Sequence, residues 1–421
     1  MAALAKKAAS VLPVPEPNLT SDEMIARAAA LRPKIRAEQD AAEERGSYSQ
    51  ELHEEFLKAG FYRAVQPRMF GGYEFPLPVF YRTMAEISRG DPGIGWCLTL
   101  CASHPFLIAS HWPEKAQREF FSTGFYASPH RPAPLGTATP TSGGYIIDGT
   151  WDYCSGIPWS NYFVGGAFLL DGTDSRAIVQ VVLPKAQVVV LPDWGGDRTL
   201  GMRASGSNSV KVDKVFVPEH YVVHPPPMWA EPTDIIKGNG TAGTRLHGNP
   251  MYLGRLMGPY HMSLVAPVLG AARAAIDEFE EIIKTRKTMF PPFVLRFEHG
   301  DFQRAYGHAT ALADAAEGIL IRAGQIYMEK CQRWADDGTM FTLEDNIRLW
   351  GMVQQAGQLA CQAVDVVFNA ASSAAAKKGQ RIQRYYRDCA MYRSHISSQY
   401  LNFAAPIARA HFGRKLELFG L

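Results

Sequence analysis

Apolar positions along the chain follow a helical period at both ends and a strand period in the middle. Thr20 with Glu23 three residues later is a capping box, and it predicts a helix from about Asp22 towards Glu44. A second helix is expected from near Ser49 to Gly60, a glycine suited to the left-handed position beyond a helix end. Phe61 to Gly72 reads as an irregular link, and a third helix follows Pro78 and ends at Gly90. Asp91-Pro92 pairs an N-cap with a proline at the first helical position. The helix it opens carries Ile94, Cys97, Leu98, Cys101, His104 and Ile108. Residues 1–127 therefore read as an N-terminal helical domain.

The pattern changes at Ser128. Tyr145-Ile146-Ile147, Phe163 to Leu170, Ala177 to Leu183, Val188 to Leu191 and Val210 to Val217 are short apolar runs between Gly, Pro and Asp, and read as strands. They make residues 128–230 a β domain, followed by a loop-like excursion from Pro225 to Pro250. From Tyr260 the helical period returns. Val268, Ala272, Ile276, Phe279 and Ile283 share one face, and Ile347, Trp350, Val353, Leu359, Val364 and Val367 mark a helix opening near Thr342. Long amphipathic helices need partners, so residues 231–421 read as a linker loop and a C-terminal four-helix bundle. The fold class is α+β.

Composition narrows the function. The chain has 421 residues, 47% hydrophobic, with a formal charge of +2. That supports two or three compact units with a large core. No basic run stands out, so no nucleic-acid partner is expected. The six cysteines form no C-x-x-C pair and no metal-ligand spacing, which predicts reduced core thiols, no metal and a cytoplasmic protein. Met1 to Ser10 lacks an apolar run, so it is no secretory signal, and the sequons at Asn18 and Asn239 carry no meaning. Trp96 to Ser110, the most apolar stretch, is shorter than the roughly 20 residues of a membrane span, so no membrane association is expected. Gly238 to Gly243 matches G-x-G-x-x-G, but a dinucleotide fingerprint must sit between a strand and a helix, and the residues that follow here favour no helix. It is read as no dinucleotide site.

Near the C-terminus, Gln383-Arg384-Tyr385-Tyr386-Arg387-Asp388 is followed after six residues by His395. Helices, then a β domain, then a bundle carrying this segment is the order of the acyl-CoA dehydrogenase fold, which the chain resembles over residues 25–412. Dehydrogenases of that fold usually follow the segment with a Glu-Gly pair that meets a thioester. Here Tyr392-Arg393-Ser394-His395-Ile396-Ser397 stands instead. The segment resembles group D flavin-dependent monooxygenases of this fold, such as the oxygenase component of two-component 4-hydroxyphenylacetate hydroxylases.

That resemblance implies reduced flavin (FMNH2 or FADH2) and O2 as cosubstrates, supplied in part by a separate NAD(P)H:flavin reductase. It implies hydroxylation of a small aromatic, phenolic substrate through a flavin hydroperoxide, by a homotetramer. His395 and His104 are then expected at the substrate, where a neutral imidazole taking a phenol proton could contribute roughly 10²–10⁴-fold. Ser155 is expected to hydrogen-bond the reactive flavin nitrogen, with Trp96, Ser205 and Arg255 near the flavin and Arg286 and Arg384 at its phosphate. Trp112, Trp151, Trp159 and Tyr400 are further candidates to line the pocket. Ser128 to Gly136 is expected as a flavin-facing loop, but His130 and Arg131 stand where the resemblance implies serines. Plainer readings exist for each position: interior histidines for His395 and His104, turn serines for Ser155 and Ser205, and surface ion pairs for Arg286 and Arg384. Oxygenation at nitrogen or sulfur of an indole, amine or thiophene is the alternative within the fold. An acyl-CoA dehydrogenase-like enzyme would need a carboxylate base, and a non-catalytic scaffold would bind no flavin.

Overall fold

Caps define the helical layer in the computed structural model, which describes residues 11–173, 177–225 and 233–414. The terminal segment 1–10 and residues 226–232 of the expected excursion lie outside these. Thr20 and Glu23 cap each other's backbone to open α1 (Ser21–Arg45), and Gly46 closes it with φ 91°. Ser49 opens α2 (Gln50–Ala59) and Gly60 closes it with φ 84°. α3 (Leu77–Gly90) leads to Asp91, whose Oδ1 accepts the Ile94 N–H at 2.8 Å and opens α4 (Pro92–Ala102).

The helix expected to continue through Ile108 breaks at Ser103-His104, and α5 runs over Pro105–His111. Pro105 has no N–H and crowds the residue before it, so His104 caps a new helix instead of lying within one. Pro92–His111 as a whole is 20 residues and apolar enough to pass as a membrane span, longer than the stretch read from sequence. Of its most apolar 18-residue window, 94% is buried inside the protein. α6 (Glu114–Phe120) completes the layer.

The sheet has seven strands: β1 (His130–Thr141), β2 (Gly144–Trp151), β3 (Tyr162–Leu169), β4 (Ile178–Pro184), β5 (Val189–Val190), β6 (Val210–Pro218) and β7 (Val222–Val223). Their order is β5-β6-β2-β1-β3-β4-β7, with β1 and β3 parallel and the other neighbours antiparallel. The segment expected as a loop over Ser128 to Gly136 is thus largely β1, the central strand. Pro132 and Pro134 hide it from a strand pattern, and the strand tolerates them through bulges between Arg131 and Gly136.

The excursion contains two short helices, α7 (Thr233–Ile236) and α8 (Ala242–His247). Thr241 caps α8, so the glycine-rich run does open a helix, contrary to expectation, although the element before it among the described residues is α7 and not a strand. α9 (Met257–Thr285), α10 (Gly300–Asp337), α11 (Leu343–Ala370) and α12 (Arg381–Ser394) form the bundle, and α13 (Tyr400–His411) packs on α11. α12 is therefore not the last helix, and His395 caps its end rather than lying on it.

One apolar core runs through the N-terminal layer and the bundle and takes in Val164, Val182, Met202 and Ala204 from the sheet layer. A second lies on the sheet around Trp151 and Phe163. The helices meet most closely at Ser88 of α3. A Cβ on Gly95 would lie 1.9 Å from its Oγ, and one on Gly270 would lie 2.3 Å from its Cβ. We expect Gly270→Ala to destabilise the protein by about 1–3 kcal/mol through overpacking. Thermal unfolding checks this; an unchanged Tm would show that α3 and α9 can separate freely.

Candidate active site

A cavity of about 270 Å³ opens where α4, β1, α9, the end of α12 and two turns of the sheet layer converge. Trp96, Ser155, Ser205, Ser207, His130 and His395 line it, with Met202, Tyr260, Leu264, Met391 and Tyr392 supplying apolar surface and Arg131, Tyr153 and Trp194 completing it. The two turns are locked together: the Gly156 N–H donates to the carbonyls of Ser205 and Gly206, at 3.1 and 3.0 Å. Glycine is required at both places. Gly156 has φ 86° and a Cβ there would meet the Cys97 carbonyl at 2.7 Å; Gly206 has φ 58° and its Cβ would meet Pro158 at 2.9 Å.

One wall is a chain of hydroxyls. The Trp96 Nε1–H donates to Ser155 Oγ at 3.1 Å, Ser155 and Ser207 Oγ lie 2.7 Å apart, and Ser205 and Ser207 Oγ lie 2.6 Å apart. Three hydroxyls carry three protons, and two hydroxyl–hydroxyl bonds use two of them. One O–H is left over at a wall that faces the cavity. His395 lines the same cavity with its ring 6.3 Å from that of Trp96, and its Nδ1 accepts the Ser397 N–H at 3.2 Å. A backbone N–H can only donate, so a neutral His395 holds its proton on Nε2. Burial, then the nearby Arg131 charge, lowers its pKa to about 4. It is a hydrogen-bond donor at neutral pH, not the proton acceptor expected from sequence.

His104 has the opposite polarity. It donates from Nδ1 to the Ser128 carbonyl at 2.7 Å, leaving the lone pair on Nε2, and burial lowers its pKa to about 4. It sits behind the main cavity in a chamber of about 20 Å³, room for one water-sized group. Ser103 Oγ is buried there without a hydrogen-bond partner, as is Ser128 Oγ on the neighbouring segment. His130 and Tyr260 border both spaces. The His130 ring lies edge-on to His104 at 5.3 Å, and its Nε2 meets the Gln180 amide nitrogen at 2.6 Å. Burial holds it well below its usual pKa.

Three expected flavin contacts lie elsewhere. Arg255 is buried with Nε donating to the Phe341 carbonyl at 2.9 Å, and burial lowers its pKa to about 10. Arg384 is engaged by Glu43 at 3.0 Å, Gln39 at 2.8 Å and Asp40. Arg286 caps the end of α9, away from this cavity. Of the aromatic candidates only Trp96 lines the cavity. Trp112 bonds the Tyr221 carbonyl, Trp151 is in the sheet core, Trp159 stacks on Tyr48, and Tyr400 is 49% exposed. Ser207, Tyr260, Tyr392 and Arg131 were not singled out as site residues. Ser207 was visible in the Ser205-Gly206-Ser207 run, whereas nothing local distinguishes Tyr260 or Tyr392 from core aromatics.

Residues 262–400 match the family model for the acyl-CoA dehydrogenase C-terminal domain. The chain is 29% identical over 310 residues to a pigment production hydroxylase of Rhodococcus sp., covering 72% of this chain and 75% of that one. It is 23% identical over 398 residues to the oxygenase component of p-hydroxyphenylacetate 3-hydroxylase from Acinetobacter baumannii, covering 91% and 87%. Among solved structures, XiaF from Streptomyces sp. in complex with FADH2 and glycerol superposes with a TM-score of 0.83 at 22% identity, covering 94% and 96%. The HsaA monooxygenase from M. tuberculosis gives 0.82 at 20% identity, covering 96% and 100%.

The tautomers and the lowered pKa values predict that His395 and His104 stay neutral from pH 5.5 to 8. Nitrogen-15 NMR of the labelled protein should place the proton on Nε2 of His395 and on Nδ1 of His104. A His395 titration centred near the ordinary 6.5 would contradict this.

Proposed function

From an acyl-CoA dehydrogenase fold whose relatives are oxygenase components of two-component hydroxylases, we propose that this chain is the oxygenase component of a flavin-dependent monooxygenase acting on a phenolic substrate. The observation that carries the reading is that a hydroxyl chain with a spare proton and an uncharged histidine N–H line one cavity together with apolar side chains. No carboxylate lines that cavity among the described residues, which argues against a dehydrogenase needing a carboxylate base.

The wall built from Trp96, Ser155, Ser205 and Ser207 suits a flat heteroaromatic ring with nitrogen acceptors, such as a flavin. Bound reduced flavin supplies the activation of O2. Ser155 or a neighbouring hydroxyl donates the spare proton to the ring, and the apolar surfaces of Met202, Leu264 and Met391 keep water away. His395 is placed to donate a hydrogen bond from Nε2–H to the substrate oxygen, which stabilises negative charge developing there. A phenol ionises near pH 10, so this assistance matters at neutral pH. His104 keeps a lone pair on Nε2 in the small chamber behind His130, where it can accept a hydrogen bond.

Reducing equivalents arrive through a separate NAD(P)H:flavin reductase, as reduced FMN or FAD. The enzyme is cytoplasmic; its cysteines are all free and buried. It assembles as a homotetramer. The hairpin closed by Lys287 and Leu295 exposes Met289 and Phe290 at 74% and Phe293 at 64%, an apolar tip that suits cover by a second copy. Arg286 at its base is then placed to reach the flavin phosphate of that copy.

Product analysis with a flavin reductase, NADH and a panel of phenols, indoles and thiophenes tests this reading. Hydroxylated phenol is expected; oxygenated indole or sulfoxide alone would move the assignment to nitrogen or sulfur chemistry. His395→Ala should lower product formation by about 10²-fold or more while reduced flavin still binds. Unchanged yield would remove His395 from the reaction. Ser155→Ala should raise the hydrogen peroxide released per NADH consumed, and an unaltered ratio would leave Ser155 a turn residue only.

A further inference from the structure

A single charged side chain lines the cavity. Apolar groups, hydroxyls and neutral histidines make up its walls, and Arg131 alone carries a formal charge among the described residues that line it. Tyr153 at 53% and Ile396 at 52% exposure mark the mouth. Arg131, with 29% of its side chain exposed, belongs to that rim.

Local structure puts the guanidinium there. Successive residues of a regular strand point to opposite faces, yet His130 and Arg131 both line the cavity. They are the first two residues of β1, whose pairing with β3 shifts register immediately after Arg131. Such an irregularity re-aims side chains. Asp152 then fixes the guanidinium. Arg131 Nε donates to the Asp152 carbonyl at 3.1 Å and to its Oδ1 at 3.2 Å, and Nη2 donates to the same Oδ1 at 2.9 Å.

This pairing leaves the cation open towards a ligand. A guanidinium has five N–H groups, and Asp152 takes two of them. The remaining three, both on Nη1 included, have no partner among the described residues. The Asp152 carboxylate is 52% exposed and does not line the cavity, so water screens it. The Arg131 charge, by contrast, is felt inside. Burial and then this charge lower the pKa of His395 to about 4, and at Tyr260 burial raises the pKa while Arg131 opposes it. Beside the cation, Tyr153 and Trp194 meet edge to face at 5.7 Å and offer the rim aromatic surface. Tyr153 holds φ 53°, a left-handed conformation that a non-glycine residue keeps only where its surroundings enforce it.

We propose that Arg131 is a specificity-determining residue that takes an oxyanion of the substrate: the phenol carries a carboxylate tail, which the free N–H groups of Arg131 bind at the rim while the ring lies inside. Its charge acts on His395, the group placed at the substrate oxygen, which makes the substrate rather than the flavin the source of the anion. The inference rests on the proposed oxygenase site and names its substrate class.

Equilibrium binding to the full chain by isothermal titration calorimetry tests this. The probes are 4-hydroxybenzoate, 4-hydroxyphenylacetate and 3-(4-hydroxyphenyl)propionate, each against its own primary amide, which keeps the shape and removes the charge. At the tail length that reaches Arg131, the acid should bind about tenfold more tightly than its amide, and the preference should shrink at high salt. Arg131→Gln should lower the acid-to-amide ratio about tenfold. Asp152→Asn keeps an oxygen that accepts from Arg131 but removes the competing charge, so the ratio should rise severalfold. A gain of that kind cannot come from misfolding, and it carries the test if Arg131→Gln does not fold. Equal affinity for acid and amide at all three lengths, no binding of any of the six, or a ratio unchanged in Arg131→Gln would overturn the proposal. So would an intact ratio in Arg131→Gln accompanied by weaker binding of reduced FMN relative to reduced riboflavin, which would assign the guanidinium to the flavin phosphate. Acid preference without hydroxylated product would sink the oxygenase reading alone. Hydroxylation of neutral phenols without acid preference would sink this inference alone.

Discussion

α4 lies in backbone contact with two turns of the sheet layer, and the cavity exists because of that approach. A Cβ on Gly156 would clash with the Cys97 carbonyl at 2.7 Å, and one on Gly93 or Gly206 would sit tightly, at 3.1 Å, against Ala204 or the Cys97 sulfur. Cross-turn bonds from Gly156 to Ser205 and Gly206 then leave the serine hydroxyls only one direction to face. The same contact brings the Trp96 indole onto Ser155. A looser packing would admit water between the layers and dissolve the hydroxyl chain into solvent.

Burial also decides the charge state of the site. Desolvation disfavours each imidazolium, opposed at His104 by its backbone carbonyls and reinforced at His395 by the Arg131 charge, so both are neutral at pH 7. Their backbone partners then select opposite tautomers, a carbonyl for His104 and an N–H for His395. Identical side chains thereby acquire different roles, an acceptor behind His130 and a donor at the main cavity.

Much of the fold was legible because helix ends have local chemistry. Thr20, Ser49, Asp91 and Thr342 each cap the helix expected of them. β1 was not legible, because Pro132 and Pro134 erase the strand pattern and only a bulged pairing with β3 accommodates them. Pro105 marked the helix break at His104, but continuous apolar spacing across it masked the signal. Site residues near glycine turns, Ser155 and Ser205, carried a trace of their role in sequence. The arginines did not. Arg384 is engaged by Gln39, Asp40 and Glu43 from α1, more than 340 positions away in the chain, and no local reading of Arg384 reveals that. Tyr260 and Tyr392 have the same limitation, since a pocket wall and a core face share one helical period.

The central claim is that the cavity between Trp96, the serine chain and His395 is where reduced flavin binds. Anaerobic titration with reduced FMN and reduced FAD, followed by protein fluorescence, tests it most directly, with Ser155→Phe as a variant that fills the cavity. Saturable binding of one flavin per chain is expected, abolished in a folded Ser155→Phe protein. No saturable binding to the wild type, or binding unchanged in that variant, would contradict it.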